Sequence, residues 1–278
     1  MRLCYVRQTA CDRCPVLVTA MSLPPILYHH FKFPLPYVPT LALQEKLHEL
    51  QLAQRRTNSH KDIILLLQHR PVYTAGRRQS ELEVRDERIR LTKIGADFIT
   101  TTRGGQLTYH GPGQLVGYPL LDLSRPTPPM GVRDYVCRMQ MTLETYLREA
   151  HGIEHVPSDH TGVFLDPATK IASIGVQVRH RLTNHGFALN VTTEPVKWFD
   201  QVVACGLDDV KAGCIEGAVG KKVTVDDVVP SILTVFERIF QREFAKLDLE
   251  AVGEIGEAIK IVEEEAEKAG DWLKAPAS

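Results

Sequence analysis

The chain lacks the features that mark several large classes of protein. Its formal net charge is only -1 over 278 residues, so the charge balance gives no support to nucleic-acid binding. The longest apolar run is Ile-Ile-Leu-Leu-Leu at residues 63–67, far short of the ~20 apolar residues that a membrane-spanning helix needs. We therefore predict neither nucleic acid nor a membrane as a partner.

Signatures of metal and nucleotide sites are missing as well. Cys11 and Cys14 form a single Cys-x-x-Cys pair, and no second pair of ligands stands at the spacing of a zinc site. The Gly-rich segment 103–117 is not followed by Gly-Lys-Ser/Thr, and its third glycine comes one position late for a dinucleotide-binding fingerprint. The sequence thus predicts no metal and no cofactor.

The composition that is present suits one large domain with tails. A hydrophobic content of 44% is ample for a core in a chain of this length. Residues 1–25 read as a leader or a disordered tail. Their three arginines against one acid are typical of a mitochondrial presequence, so we expect a mitochondrial protein. Residues 26–248 form the predicted main domain, and residues 249–278 form a predicted acidic helical tail with a solvated face at 263–265.

Apolar periodicity predicts a mixture of helices and strands. Helices are expected at 40–58, 80–95, 130–151, 224–244 and 249–274. Strands are expected at the start of 26–40 and at 61–68, 97–101, 116–123, 161–165, 170–178 and 187–191, with a positively charged loop at 74–78. The irregular order of these elements favours an α+β fold with a mixed or antiparallel sheet.

The segment 103–117 holds five glycines in fifteen residues. Glycine lets the backbone approach a ligand closely, and exposed N–H groups can hold an anion or a carbonyl oxygen. A Gly-rich hairpin at a sheet edge explains the composition equally well. The flanking side chains of Arg103 and His110 favour a binding loop.

Cys205, in Val-Val-Ala-Cys-Gly-Leu, is a candidate nucleophile. A free cysteine is usually a buried packing residue, and a nucleophile needs a nearby cation or base to favour its thiolate. Lys170 and His185 are candidates for that group, although a lysine at a strand start is usually solvated and a lone histidine is usually structural. Small residues at 172, 173 and 175 leave room for a ligand beside Lys170. From the residues alone both interpretations stay open.

Four ordered blocks of sequence resemble the octanoyltransferase family. They are His-Arg-Pro-Val-Tyr-Thr-Ala-Gly-Arg-Arg at 69–78, Arg-Gly-Gly-Gln-Leu-Thr-Tyr-His-Gly-Pro-Gly-Gln at 103–114, Lys-Ile-Ala-Ser-Ile-Gly-Val-Gln-Val-Arg at 170–179 followed by His-Gly-Phe-Ala-Leu-Asn-Val at 185–191, and Ala-Cys-Gly-Leu at 204–207. The chain departs from the family at Ala75 and Ala204, where leucine and proline are usual. The resemblance implies a biotin/lipoate protein ligase-like fold, with a mixed, largely antiparallel sheet flanked by helices.

The resemblance also implies a reaction and its participants. An octanoyl group would pass from octanoyl-acyl carrier protein to a lysine of a lipoyl domain, carried by a glycine-cleavage H protein or a 2-oxoacid dehydrogenase E2 subunit. Cys205 would form the acyl thioester and Lys170 would act as base. The acyl site would be lined by Arg103, Gly104, Gly105, Gln106, Leu107, Thr108, Tyr109, His110, Ser173, Ile174, Gly175, Gly186, Phe187 and Ala188.

With its presequence-like leader, the chain is expected to be a eukaryotic mitochondrial member of this family. Two alternatives remain. One is an ATP-dependent lipoate or biotin-type protein ligase, which needs no cysteine nucleophile. The other is a non-catalytic protein that binds lipoyl domains.

Overall fold

The computed structural model describes residues 23–202 and 210–277, and these form seven helices and eleven strands. The helices are α1 (Tyr37–Arg55), α2 (Arg85–Lys93), α3 (Val132–His151), α4 (Glu194–Phe199), α5 (Ile215–Val219), α6 (Val225–Phe240) and α7 (Glu254–Lys268). The strands are β1 (Ile26–His30), β2 (Ile63–Leu67), β3 (Val72–Ala75), β4 (Asp97–Thr100), β5 (Thr108–His110), β6 (Gln114–Leu120), β7 (Val163–Asp166), β8 (Thr169–Arg179), β9 (Leu182–Asn190), β10 (Lys211–Ala212) and β11 (Phe244–Lys246).

The strands form one large and one small sheet. The large sheet has the order β10-β8-β9-β6-β2-β1-β11, with β7 paired to β8, and the small sheet has the order β4-β3-β5. In the large sheet the pairs β2–β6, β6–β9, β8–β9 and β7–β8 are antiparallel, whereas β1–β2, β1–β11 and β8–β10 are parallel. The predicted α+β class, with a mixed, largely antiparallel sheet flanked by helices, is therefore confirmed.

Helices α3 and α6 cover one face of the large sheet, where Leu143 and Phe236 pack with Phe187 of β9. A capping box begins α6, because the Thr224 hydroxyl accepts from the Asp227 N–H and the Asp227 carboxylate accepts from the Thr224 N–H. The prediction of one helix over 224–244 was too long. Gln241 takes a left-handed conformation at φ 55° that ends the helix, and the chain then pairs with β1 as β11.

Helices α1 and α7 cover the opposite face. Leu43 and Leu47 of α1 and Ile255 and Ile259 of α7 are buried in one core with β2 and β6. Helix α7 therefore shields the sheet through its apolar side, while the acidic residues 264–265 on its other side stay exposed. None of the helices within the described ranges is long and apolar enough to cross a bilayer.

The small sheet has its own core, which fixes its place beside the large one. Trp198 of α4 stacks on Tyr109 of β5 with ring centroids 5.4 Å apart, and the Tyr73 hydroxyl donates to the Trp198 carbonyl at 2.6 Å. The predicted loop at 74–78 was partly wrong, because Thr74 and Ala75 complete β3 between β4 and β5. The Gly-rich segment thus runs between the two sheets.

A buried network of ion pairs links three segments of the chain next to the start of β2. The Asp62 carboxylate lies 3.1 Å from Arg125 Nε and 2.5 Å from Arg242 Nη1, and it also accepts the Asp122 N–H at 2.8 Å. Asp62 has no exposed side-chain surface, and both arginines are nearly as buried. This network ties β2 to the loop after β6 and to the end of α6.

Candidate active site

A cavity of about 470 Å³ opens where the Gly-rich segment crosses β8 and β9. Its walls come from both sheets and from the starts of α1 and α3. The lining residues are Tyr37, Arg77, Arg78, Arg103, Gly104, Gly105, Gln106, Thr108, His110, Tyr118, Val132, Val136, His160, Thr161, Lys170, Ser173, Ile174, Gly175, Val176, Gln177, Val178, His185, Gly186, Phe187 and Ala188.

Most residues predicted for the acyl site meet at this cavity, and two do not. Leu107 and Tyr109 are buried instead in the core of the small sheet, with Tyr73 and Trp198. Successive side chains of a strand point to opposite faces, so only the alternate residues Thr108 and His110 reach the cavity. Cys205 lies outside the described residues.

Glycines let three backbone segments meet at the cavity wall. A Cβ atom on Gly76 would lie 2.3 Å from the Gly105 carbonyl oxygen, and one on Gly186 would lie 2.1 Å from the Gly117 oxygen. One on Gly175 would lie 2.8 Å from the Gly104 oxygen. Any side chain at these positions would push the Gly-rich segment away from the sheet.

The Arg103 guanidinium holds the Gly-rich segment in place. It donates to the Thr74 carbonyl oxygen at 2.5 Å, to the Thr74 hydroxyl at 2.8 Å and to the Gln106 carbonyl oxygen at 2.9 Å. The Gly104 N–H adds a bond of 3.0 Å to the Val176 oxygen on β8. Arg103, predicted as a ligand contact, thus lines the cavity while it clamps the segment to β3.

Lys170 lies in the cavity wall at the start of β8. Its side chain is half-buried, and its ammonium nitrogen sits 5.3 Å from the centroid of the Phe164 ring. A Cβ on Gly162 would be only 2.5 Å from Lys170 Cε, so this glycine leaves the room in which the side chain lies. Packing against a ring and a glycine restricts where the lysine nitrogen can point.

A second, smaller cavity of about 200 Å³ shares Lys170 and Ser173 with the first. Val202 and Val210, the last and first described residues around segment 203–209, both line it. Val202 and Val210, which flank the position of Cys205 in the sequence, therefore line the same cavity as Lys170.

Buried histidines and tyrosines lie in the wall of the 470 Å³ cavity and directly behind it. His69 Nδ1 donates to the Leu35 oxygen at 3.1 Å, so its Nε2 accepts from the Tyr118 hydroxyl at 2.6 Å. His110 Nδ1 pairs with the Gln114 side-chain oxygen at 2.8 Å. Within the described ranges, no group of three or more His, Cys, Asp or Glu side chains is placed to hold a metal ion.

His185 is the most unusual member of this group. Its backbone has a φ of 58°, a conformation that a residue other than glycine seldom adopts, and the Gln44 side-chain oxygen accepts its N–H at 2.9 Å. Both ring nitrogens are buried without a hydrogen-bond partner in the described part of the chain. The ring is therefore ready to hydrogen-bond a molecule in the cavity.

We expect the free energy of unfolding to fall as the pH is lowered from about 6.5 toward 4. Burial lowers the pKa of His69 to about 4 and that of His185 to about 3. The unfolded chain takes up these protons below its ordinary histidine pKa and the folded chain does not, so acid favours unfolding. Each of the two histidines should lower the free energy of unfolding by roughly 3 kcal/mol across that range. Urea unfolding at several pH values measures this change.

A matched pair of variants isolates this effect. His69→Gln should weaken the dependence on pH by the contribution of that one histidine, whereas His160→Gln, at an exposed position, is the control and should leave the dependence as it is. A wild-type stability that stays constant between pH 7 and 5 would contradict the prediction.

Sequence reasoning left several cavity residues out of the predicted site. Arg77 and Arg78 stand in the motif blocks that carried the resemblance, so a signal for them existed. His185 was predicted only as a candidate partner of Cys205, not as part of the acyl site. Tyr37 and Tyr118 had no such signal, because a tyrosine at a helix start or in a strand is ordinary. Only the packing of α1 and β6 around the Gly-rich segment brings the two tyrosines to the cavity.

The arrangement of sheets, helices and Gly-walled cavity defines a class known from other proteins. The family model of the lipoyl protein ligase A/B catalytic domain matches residues 36–237. A solved lipoate-protein ligase A bound with ATP has a TM-score of 0.60 over 89% of this chain and 96% of its own, at 16% identity. A bi-partite lipoate protein ligase from Thermoplasma acidophilum has a TM-score of 0.56 over 87% of this chain and 93% of its own, also at 16% identity. These two structures share the fold.

Relatives with higher identity narrow the class. The octanoyltransferase of Caldicellulosiruptor saccharolyticus is 37% identical over 84% of this chain and 95% of its own. The mitochondrial octanoyl-acyl-carrier-protein:protein N-octanoyltransferase of Danio rerio is 36% identical over 69% of this chain and 86% of its own. The chain therefore belongs to the octanoyltransferase family and is an acyltransferase, as its motifs predicted.

Proposed function

We propose that this enzyme transfers an octanoyl group from octanoyl-acyl carrier protein to a lysine of a lipoyl domain, through a thioester on Cys205. The family membership supports the octanoyl transfer. The observation that supports the covalent route is the position of Lys170 between the two cavities, the smaller of which is bounded by Val202 and Val210. Lys170 therefore lines the same cavity as the two described residues that flank the Cys205 segment in the sequence.

The proposed chemistry needs no external energy source. In the first step the Cys205 sulfur attacks the donor's carbonyl carbon, the bond from that carbon to the carrier's sulfur breaks, and Lys170 passes the cysteine's proton to the departing thiol. In the second step the acceptor's lysine nitrogen attacks the new thioester. The bond to Cys205 breaks, and Lys170 returns a proton from the amine to the cysteine. One thioester replaces another, and an amide, which is more stable, ends the sequence.

The main cavity can hold the acyl chain. Its lining includes the apolar side chains of Ile174 and Val178 on β8 and of Val136 on α3. Burying the seven CH2 and CH3 groups of an octanoyl chain contributes about 6 kcal/mol at ~0.8 kcal/mol per group. The Gly-rich wall can supply N–H donors to the oxyanion of the tetrahedral intermediate.

An intact-mass measurement tests the covalent route. Mixing the protein with octanoyl-acyl carrier protein, without ATP, and quenching in acid should show the mass of one added octanoyl group. Cys205→Ala should show none, because the proposed thioester forms on Cys205. Cys214 is a poor candidate for the adduct. Cys214 is buried, its sulfur accepts the Gly217 N–H at 3.3 Å, and burial raises the pKa of its thiol.

Cys214→Ser is the matched control and should keep the adduct, since serine serves equally well at the N-terminus of α5. An adduct that persists in Cys205→Ala places the thioester on another residue. No adduct in the wild type, together with transfer that requires ATP, would favour a ligase that activates a free acid.

We further propose that the acceptors are lipoyl domains of the glycine-cleavage H protein or 2-oxoacid dehydrogenase E2 type, and that the enzyme works in mitochondria. The Danio rerio relative, which is mitochondrial by name, and the arginine bias of residues 1–25 support that location.

A further inference from the structure

The main cavity carries a surplus of positive charge. Four of its lining side chains are cationic, namely Arg77, Arg78, Arg103 and Lys170, and none of its described lining residues is a carboxylate. An octanoyl thioester is uncharged, so the acyl chain and the reacting carbonyl do not account for this surplus. Two of these four cations already have a role: Arg103 holds the Gly-rich segment through its hydrogen bonds, and Lys170 is the proposed base.

Arg77 and Arg78 stand at the rim of the cavity on a fixed backbone. The Arg77 N–H donates to the Arg103 oxygen at 3.0 Å, and the Arg78 N–H donates to the Gly105 oxygen at 3.4 Å. Gly76 packs directly on Gly105 just before them. The backbone of both arginines is therefore hydrogen-bonded to the Gly-rich segment that lines the cavity.

The guanidinium groups themselves are exposed. No ion pair to either one occurs within residues 23–202 and 210–277, although nearby arginines of the same region are paired. Arg88 lies 2.5 Å from a Glu81 carboxylate oxygen, and Arg90 lies 2.6 Å from one of Glu87. The rim thus offers two cations that the described part of the protein does not neutralise.

We infer that Arg77 and Arg78 bind a phosphate group of the acyl donor, the one that joins its pantetheine arm to the carrier. This inference rests on the proposed function. Arginine presents a planar fork of N–H donors that suits phosphate, and two neighbouring arginines can grip one phosphodiester from two sides. The site would recognise the non-acyl part of the donor and leave the acyl slot apolar.

Two small donors that differ only by a phosphate test the inference. Octanoyl-pantetheine and octanoyl-4′-phosphopantetheine are each supplied to the enzyme with an unmodified lipoyl domain as acceptor. For the wild type at low salt we expect kcat/KM to be about tenfold higher with the phosphorylated donor, and added salt should reduce this ratio. In the double variant Arg77→Gln/Arg78→Gln the ratio should fall to about one, since the phosphate loses both partners.

Arg85→Gln is the matched control. Arg85 is exposed and cationic but does not line the cavity, so the ratio should stay at its wild-type value. Equal use of both donors by the wild type, or a ratio that survives in the double variant, would overturn the inference. So would a double variant impaired only with the intact carrier protein, because the arginines would then contact the carrier's surface. Failure of the proposed function looks different: the wild type would transfer octanoyl from none of these donors.

Discussion

Lys170→Met is expected to lower the rate of octanoyl transfer by at least about a thousandfold while the protein stays folded. Methionine fills much of the space beside Phe164 and Gly162 in which the lysine lies, so packing changes little. What is lost is the amine that moves protons to and from the attacking and departing groups in both proposed steps. The rate is measured as octanoyl appearing on a lipoyl domain, and the fold is checked by thermal unfolding.

A second substitution separates proton transfer from charge. Lys170→Arg keeps a positive charge, but a guanidinium does not give up its proton in proteins, so it cannot act as a base. We expect it to be as inactive as Lys170→Met. Lys246→Met, at an exposed position on β11 away from the cavity, is the control and should retain full activity. An active Lys170→Arg would show that charge is sufficient, and an active Lys170→Met would remove the lysine from the mechanism.

Asp62→Ala is expected to lower the free energy of unfolding by about 3–5 kcal/mol. The substitution leaves the guanidinium groups of Arg125 and Arg242 buried without the carboxylate that both contact. It also removes the acceptor of the Asp122 N–H. The loss is measured by urea unfolding at pH 7.

Two further variants show which property of Asp62 causes the loss of stability. Asp62→Asn keeps the shape and an oxygen acceptor, so a similar loss in that variant would assign the effect to the negative charge. Glu265→Ala removes an exposed carboxylate from α7 and should change stability by no more than about 0.5 kcal/mol. A loss below about 1 kcal/mol in Asp62→Ala would mean that the two arginines find other partners or water.

Much of the fold could be predicted, because the spacing of apolar residues within a segment indicates whether that segment forms a helix or a strand. The apolar spacing of residues 224–244 predicted a helix, and residues 161–165 and 170–178 were predicted as strands. The structure confirms α6, β7 and β8 at these places. The errors occur where a distant partner decides. Thr74 is polar and Ala75 is small, and these two residues become a strand only because β4 and β5 lie on either side. Phe244 was predicted at the end of a helix but lies in a strand, because β11 pairs with the edge of β1.

The candidate site shows the same division. The motif blocks pointed to Lys170 and to the Gly-rich segment, and the cavity brings these together. They could not separate Thr108 and His110, which face the cavity, from Leu107 and Tyr109, which face the small core. That separation follows from the pleat of β5, whose position depends on Tyr73 and Trp198 far along the chain.

The sequence by itself determined the class of fold and the family, because periodicity and motif order are local properties. It also supplied Cys205 as the proposed nucleophile, which lies outside the described residues. Only the tertiary structure decided that Arg103 clamps the Gly-rich segment, that His185 keeps two unpartnered ring nitrogens at the cavity, and that Arg77 and Arg78 stand unpaired within the described chain at its rim. The physical reason is that burial and partners depend on segments distant in the chain, which meet only when the two sheets pack together.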